Sequence, residues 1–235
     1  TTVGLFNGTG ELLFRALLET SRSKTRDQCA IELLGVFQLY GADACTVDGA
    51  ILSSVVPPLT TIFTDAIARL TGIPPTVVGP GIRTGLNIKA EIHNQLGSDI
   101  VASSVAAIAK YPSPIVMVDM GTATSLSLIV GSVYEGCIIM PGLALALDAL
   151  SERAAALPPI SIETASPVGL MGHTTEEAMR SGVLYGHASM VDGMLERIEE
   201  SIGQSVTTVA TGGNAPRILR YCKRPIQYDA DLIMT

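Results

Sequence analysis

Apolar residues along the chain recur at two spacings, and the changes from one spacing to the other mark out the elements it should form. Thr2 to Phe6 predicts a strand entering an Asn7-Gly8-Thr9-Gly10 hairpin turn, and Glu11 to Leu18 returns as a strand or a short helix. From Thr25 to Tyr40 the period is helical, with Cys29, Leu33, Val36, Phe37 and Tyr40 on one face. Ala50 to Val56 predicts a short buried strand that contains Ser53-Ser54 and stops at Pro57-Pro58. That proline pair opens a helix over Leu59 to Leu70. Thr76 to Val78 is a further strand, closed by Gly79-Pro80-Gly81, and the polar stretch from Gly81 to Asp99 reads as loop.

Beyond Asp99 the pattern sharpens. Val101, Val105 and Ile108 predict a helix with Asp99 in its first turn. Ile115 to Val118 is an apolar run ended by Asp119, Gly121, Thr122 and Thr124, and Ser125 to Val130 is a second run. This is a strand, a tight turn and a strand, and the rest of the chain is organised around that turn. A strand over Gly136 to Pro141 follows, then a helix over Leu143 to Ala155 and a proline-bearing connection over Leu157 to Gly172. Thr175 to Ile202 is one long helix, Val206 to Ala210 a strand, Thr211-Gly212-Gly213 a turn, and Ala215 to Cys222 a helix. The alternation argues for an α/β chain with helices covering a mixed sheet. Thr1 to Gly8 echoes Thr124 to Gly131 in character and in its place before a hairpin turn, as a duplicated chain would.

Composition narrows the chemistry. With 235 residues, 47% of them hydrophobic and 16% charged, the chain can bury a substantial core. The net charge is −7 and no run of Lys or Arg stands out, so the basic face of a nucleic-acid binder is missing. Anionic phosphates would have to be held locally, by backbone amides and bound cations. Cys29, Cys45, Cys137 and Cys222 form no CxxC pair and read as thiols of a reducing cytoplasm. The richest apolar window, Leu126 to Leu150, is broken by Glu135, Pro141 and several glycines, so it is no membrane span of ~20 apolar residues. No signal peptide is visible, and because the chain opens at Thr1 without a methionine, the natural start is expected upstream.

Three turns could face one nucleotide: Asp119 to Thr124, the Thr1-Thr2 stretch, and Thr211-Gly212-Gly213. Gly121 lets a backbone approach a ligand closely, amides and threonine hydroxyls can wrap phosphate oxygens, and a neighbouring carboxylate can hold a cation. An ordinary β-hairpin with a polar turn satisfies the first stretch equally, and most TGG turns are merely tight. Asp99, in Gly97-Ser98-Asp99, is either a helix N-cap or a carboxylate base that takes a proton from a substrate hydroxyl, and one side chain can do both. His93, His173 and His187 lack metal-ligand spacing and read as loop or surface residues.

Taken together and in order, Gly97-Ser98-Asp99, Asp119-Met120-Gly121-Thr122-Ala123-Thr124, Tyr134-Glu135-Gly136 with Pro141-Gly142, Gly172 to Glu177, and Thr211-Gly212-Gly213 resemble the type III pantothenate kinases. The resemblance implies a duplicated ribonuclease H-like fold, as in actin and sugar kinases. Two mixed-sheet domains, residues 1–113 and 114–235, would flank a cleft. It implies ATP-dependent phosphorylation of pantothenate, the first step of coenzyme A synthesis, with Mg2+ and a monovalent cation, K+ or NH4+. Asp99 would be the proton acceptor, with Gly97, Ser98 and Ile100 beside the substrate, and Asp119 would bind the monovalent ion. Thr122, with Gly121 and Thr124, would meet the ATP phosphates. Thr211, Gly212 and Gly213 would line the nucleotide, and Thr1 and Thr2 would end an N-terminal phosphate loop. Thr175 would reach pantothenate across a homodimer, with the long helix in the interface.

Three positions depart from the family's pattern: Ile100 replaces an arginine that holds pantothenate, Ala90 a substrate-contacting tyrosine, and Cys137 a second glycine. Arg83 or Lys89 could supply the cation lost at Ile100. The competing readings are a non-catalytic nucleotide-binding regulator on the same fold and a phosphohydrolase or chaperone-type ATPase, which would release ADP without an acceptor.

Overall fold

The computed structural model describes residues 1–79, 82–89, 96–162 and 168–234. Its first strands, β1 (Thr2–Phe6) and β2 (Leu12–Leu17), form an antiparallel hairpin, which settles the strand-or-helix choice for Glu11 to Leu18. The turn holds because the Asn7 Oδ1 accepts from the N–H groups of Thr9 and Glu11. Helix α1 (Arg26–Leu39) begins at Thr25, which forms a capping box with Gln28. It buries the predicted Cys29, Leu33, Val36 and Phe37, whereas Tyr40 remains half exposed, stacked on Phe14. Strand β3 (Ile51–Leu52) is shorter than the pattern suggested: Ile51 is 73% exposed, and Ser53-Ser54 leave the strand for other partners. Helix α2 (Pro57–Thr71) starts on its proline pair, and β4 (Thr76–Val77) runs parallel to β3. Cys29 and Leu33 of α1 pack on Leu59, Phe63 and Ala66 of α2 to make this region's main core.

Strand β5 (Asn87–Ile88) lies in the stretch read as loop. Helix α3 (Ser98–Lys110) follows, and then β6 (Ile115–Met120), β7 (Ala123–Val130) and β8 (Val133–Pro141). Helices α4 (Leu143–Arg153) and α5 (Thr175–Ile202), β9 (Thr207–Thr211), α6 (Ala215–Leu219) and β10 (Gln227–Tyr228) complete the order. Six strands form one mixed sheet in the order β10-β9-β6-β7-β8-β5, with β7 antiparallel to both neighbours and the other pairings parallel. β6 belongs at the centre because five of its six side chains are apolar and at most 1% exposed, as a strand covered on both faces requires.

The chain divides into two compact units. One comprises Thr1–Thr84, His93–Ser103 and Ile233–Thr235, the other Gly85–Ile92 and Ser104–Leu232. A single cut after residue 113 would leave β5 with the first half, but its parallel pairing with β8 puts it in the second. The sequence echo falls on two hairpins, β1–β2 and β7–β8, and the parallel pair β3–β4 repeats β9–β10. In the second unit β6 joins its two pairs. In the first, no strand among the described residues takes that place.

Candidate active site

In the second unit the turn after β6 is held through its backbone carbonyls. Asn214 donates from its N–H to the Met120 carbonyl (3.0 Å) and from its side-chain amide to the Gly121 carbonyl (3.2 Å). Gly212, at φ +92°, lies so close that a Cβ there would come within 2.6 Å of the Asp119 Oδ1 and 2.7 Å of the Met120 carbonyl. At the start of α4, a Cβ on Gly142 would overlap the Thr122 carbonyl. The bends at 119–124 and 211–213 therefore meet, brought together by the parallel pairing of Asp119 with Thr211.

The remaining two glycines differ. Gly121 and Gly213 have no positive φ, and a Cβ would find nothing nearer than 3.8 Å at Gly121 and nothing within 4 Å at Gly213. Neither conformation nor packing requires glycine at either position, so both leave bare backbone facing outward, as close approach by a ligand demands. Thr122 is exposed beside them.

Thr124 and Thr211 are buried, at 1% and 6% exposure, and their side chains face the protein. The Thr124 hydroxyl lies 2.8 Å from His187 Nε2. His187 is thus not a surface residue. It is 4% exposed on the buried face of α5, and burial lowers its pKa. His173 sits in an exposed loop, as expected, whereas His93 and Ala90 lie outside the described residues. Asn214 escaped the sequence reading, although its place directly after the TGG turn was the available signal. Thr175 is exposed at the first turn of α5, which Thr174 caps by accepting from the Glu177 N–H.

In the first unit, Asp99 sits inside the first turn of α3 and does not cap it. Its Oδ1 accepts from the N–H of Ile100 (2.8 Å), and among the described residues its Oδ2 has no hydrogen-bond partner. The Asp99 carboxylate folds over Gly97, where a Cβ would overlap Oδ1. Ser98 turns the other way, onto Ser53 and Ser54, and Ile100 is half-buried. Thr1 and Thr2 open the β1 edge, with the Thr1 hydroxyl 3.0 Å from that of Thr20. Of the two cations considered in place of an arginine at 100, Lys89 is paired with Glu135 and Arg83 is exposed. Cys137 is exposed on β8.

Among the described residues no three His, Cys, Asp or Glu side chains cluster as a metal site. A Mg2+ ion needs no such cage, because one or two carboxylates and substrate phosphates can hold it. Asp119, expected to hold the monovalent ion, lies at the rim of the open Gly121–Thr122 backbone. No helix among the described residues is long and apolar enough to cross a membrane.

Residues 1–197 match the family model for type III pantothenate kinase. A type III pantothenate kinase of an Exiguobacterium species is 37% identical over 233 residues, covering 99% of this chain and 90% of its own. One from Shouchella clausii is 39% identical over 214 residues, covering 90% and 83%. Among solved structures, the ethanolamine utilization protein EutJ of Carboxydothermus hydrogenoformans aligns with 99% of this chain and 82% of its own. Its TM-score is 0.50 at 15% identity, a likeness of fold alone. That fold is the actin-like, ribonuclease H-like α/β architecture that the family resemblance implied. The chain belongs to the type III pantothenate kinase family.

Proposed function

We propose that the chain phosphorylates the primary hydroxyl of pantothenate from ATP, with Asp99 as proton acceptor. The family supplies the reaction. The observation that supports the nucleotide site is the pair of unforced glycines, Gly121 and Gly213, on two bends locked together by Gly212 and Asn214. Phosphoryl transfer asks a protein mainly for positioning and charge neutralisation. The bare backbone at 121 and 213 and the exposed Thr122 hydroxyl would receive the phosphates. Thr124 and Thr211 would shape the bends from beneath, because their side chains face inward.

The attacking oxygen of pantothenate forms a bond to the γ-phosphorus as the bond to the ADP oxygen breaks, and its proton passes to the Asp99 carboxylate, whose Oδ2 has no hydrogen-bond partner among the described residues. A divalent cation bound with ATP would neutralise charge developing on the phosphates. Asp119 would carry that cation or a monovalent partner, K+ or NH4+. In a chain of net charge −7 such ions do what basic side chains do elsewhere. Arg83, being unpaired with any acid among the described residues, is the better candidate than Lys89 for the pantothenate carboxylate. Thr175, exposed at the head of α5, would complete the site of a second copy in a homodimer, and the chain would work in the cytoplasm.

Asp99→Asn keeps the shape of the side chain and removes its basicity. It should lower kcat by ~100-fold or more while leaving nucleotide affinity within a few-fold of the parent, the scale of a lost general base. Coupled ADP release with pantothenate, with and without K+, measures this, and undiminished turnover would remove Asp99 from the mechanism. ADP release that ignores pantothenate would instead make the protein a hydrolase.

A further inference from the structure

A serine hydroxyl has one proton to donate and two lone pairs to receive. At Ser98 all three are spent inside the protein, and all on one short segment. Ser98 Oγ accepts from the Ser53 hydroxyl at 3.0 Å and from the Ser54 N–H at 3.1 Å, and it donates to the Ser54 carbonyl at 3.1 Å. These bonds join residues 44 and 45 positions apart in the chain. Ser54 is itself tied down: its hydroxyl donates to the Val56 carbonyl and accepts from the Val56 N–H, both at 3.3 Å, directly before α2 begins. Nothing remains on the Ser98 oxygen with which to hold a substrate.

What the arrangement does hold is the entry to α3. Ser98 is its first residue and Asp99 its second. On the opposite side of Ser98, Gly97 leaves room both for the Asp99 carboxylate and for Val55, whose Cγ1 would stand 3.3 Å from a Cβ there. Residues 53–55 thus hold the segment 97–98 through both Ser98 and Gly97, and the Asp99 Oδ1 is fixed by the Ile100 N–H, while among the described residues Oδ2 has no hydrogen-bond partner. We infer that Ser98, latched to Ser53 and Ser54, is a positioning residue that sets the carboxylate of Asp99 for proton transfer and makes no contact with pantothenate. A shift of ~1 Å in a reacting group can cost ~100-fold in rate, so a three-bond latch one residue from the base has leverage over turnover.

The latch acts through Asp99 and so rests on the proton-acceptor role proposed above. The experiment measures kcat, KM for pantothenate and nucleotide affinity for Ser98→Ala, Asp99→Asn and the double variant, with thermal melts to verify folding. Expected is a fall in kcat of ~10-fold or more for Ser98→Ala, with KM for pantothenate and nucleotide affinity unchanged. In the Asp99→Asn background the same substitution should cost nothing further, the non-additivity of two residues acting as one unit. Three results overturn the latch while leaving the reaction intact: Ser98→Ala with unchanged kcat, Ser98→Ala with a raised pantothenate KM and unchanged kcat, or an equal loss with and without the Asp99 carboxylate. An Asp99→Asn enzyme with full turnover would instead overturn the reaction reading, and the latch with it. If Ser98→Ala does not fold, Ser53→Ala removes one of the three bonds and should show the same kcat-only loss on a smaller scale, with unchanged kcat again counting against the latch.

Discussion

The two units fix their functional residues by different means. In the second, bends are set mainly by backbone against backbone, Gly212 on Met120, Gly142 on Thr122 and the Asn214 N–H on the Met120 carbonyl, with one side-chain amide, that of Asn214, on the Gly121 carbonyl. Beneath them β6 is paired on both edges and covered on both faces, with Val116, Val118 and Met120 joining Leu184, Val191 and Leu195 of α5 in one core. In the first unit, among the described residues, the two strand pairs share no strand, two smaller clusters form the core, and the segment around Asp99 is set by side-chain hydrogen bonds. Backbone packing has no rotamers with which to yield. Side-chain packing can adjust, and that suits a carboxylate that must meet a substrate proton.

The sharpest test of this difference adds one methyl group in each unit. In Gly142→Ala the new Cβ overlaps the Thr122 carbonyl and in Gly97→Ala the Asp99 carboxylate. A carbonyl in a closed turn cannot step aside, whereas a carboxylate can rotate about χ1. Gly142→Ala should lose stability by about 2 kcal/mol or more, the scale of an overpacked interior, with nucleotide affinity falling alongside. Gly97→Ala should melt within a few degrees of the parent yet lose ~100-fold or more in kcat, because the displaced group is the proposed proton acceptor. Thermal melts and steady-state kinetics on both variants separate the outcomes. If Gly97→Ala unfolds while Gly142→Ala turns over normally, the contrast between units is reversed.

Large-to-small core substitutions sharpen the comparison at the next scale down. Leu195 of α5 is fully buried in the large cluster of the second unit, whereas Leu59 of α2, at 3% exposure, belongs to a smaller one. Leu195→Ala should cost about 3–5 kcal/mol and Leu59→Ala nearer 2–3, since a site with fewer fixed neighbours collapses more easily around a cavity. Denaturant unfolding of the two variants gives both numbers, and a larger loss at Leu59 would contradict the ranking of the two cores.

The same division governs how much could be read from the sequence. Long periodic elements were legible: α5 spans Thr175–Ile202 as its pattern demands, and the strand–turn–strand around Asp119 lies where its apolar runs place it. The motif order likewise gave the family. Elements made by pairing alone were not legible. β5 is two residues long with no apolar signature, and it exists because β8 offers an edge. β3 ends early because Ser53 and Ser54 are claimed by Ser98, a partner no local pattern announces. The family resemblance implied ligand contacts for Thr124 and Ser98; their hydroxyls meet His187 and Ser53-Ser54, partners far away in the sequence. His187 had a signal in the sequence: it follows Val183 and Leu184 and precedes Val191 at helical spacing, on the buried face.

That histidine supplies the smallest effect, confined to the second unit. Burial holds its pKa below the ordinary imidazole value, and its ring meets the Thr124 hydroxyl behind the turn proposed to face the nucleotide. With the folded pKa depressed, the unfolded chain takes up a proton first as pH falls. Stability is therefore complete above the ordinary imidazole range and is lost as pH drops through that range towards the folded value. The loss can be no steeper than ~1.4 kcal/mol per pH unit for one group. His187→Gln keeps a neutral hydrogen-bonding side chain near Thr124 and cannot titrate. Melting temperatures between pH 7.5 and 5 should consequently fall less steeply in this variant than in the parent. Parallel profiles would mean that His187 is protonated in the fold and that burial does not hold it neutral. In that event the support beneath Thr124 would be a charged one, and the second unit would share the adjustable character assigned to the first.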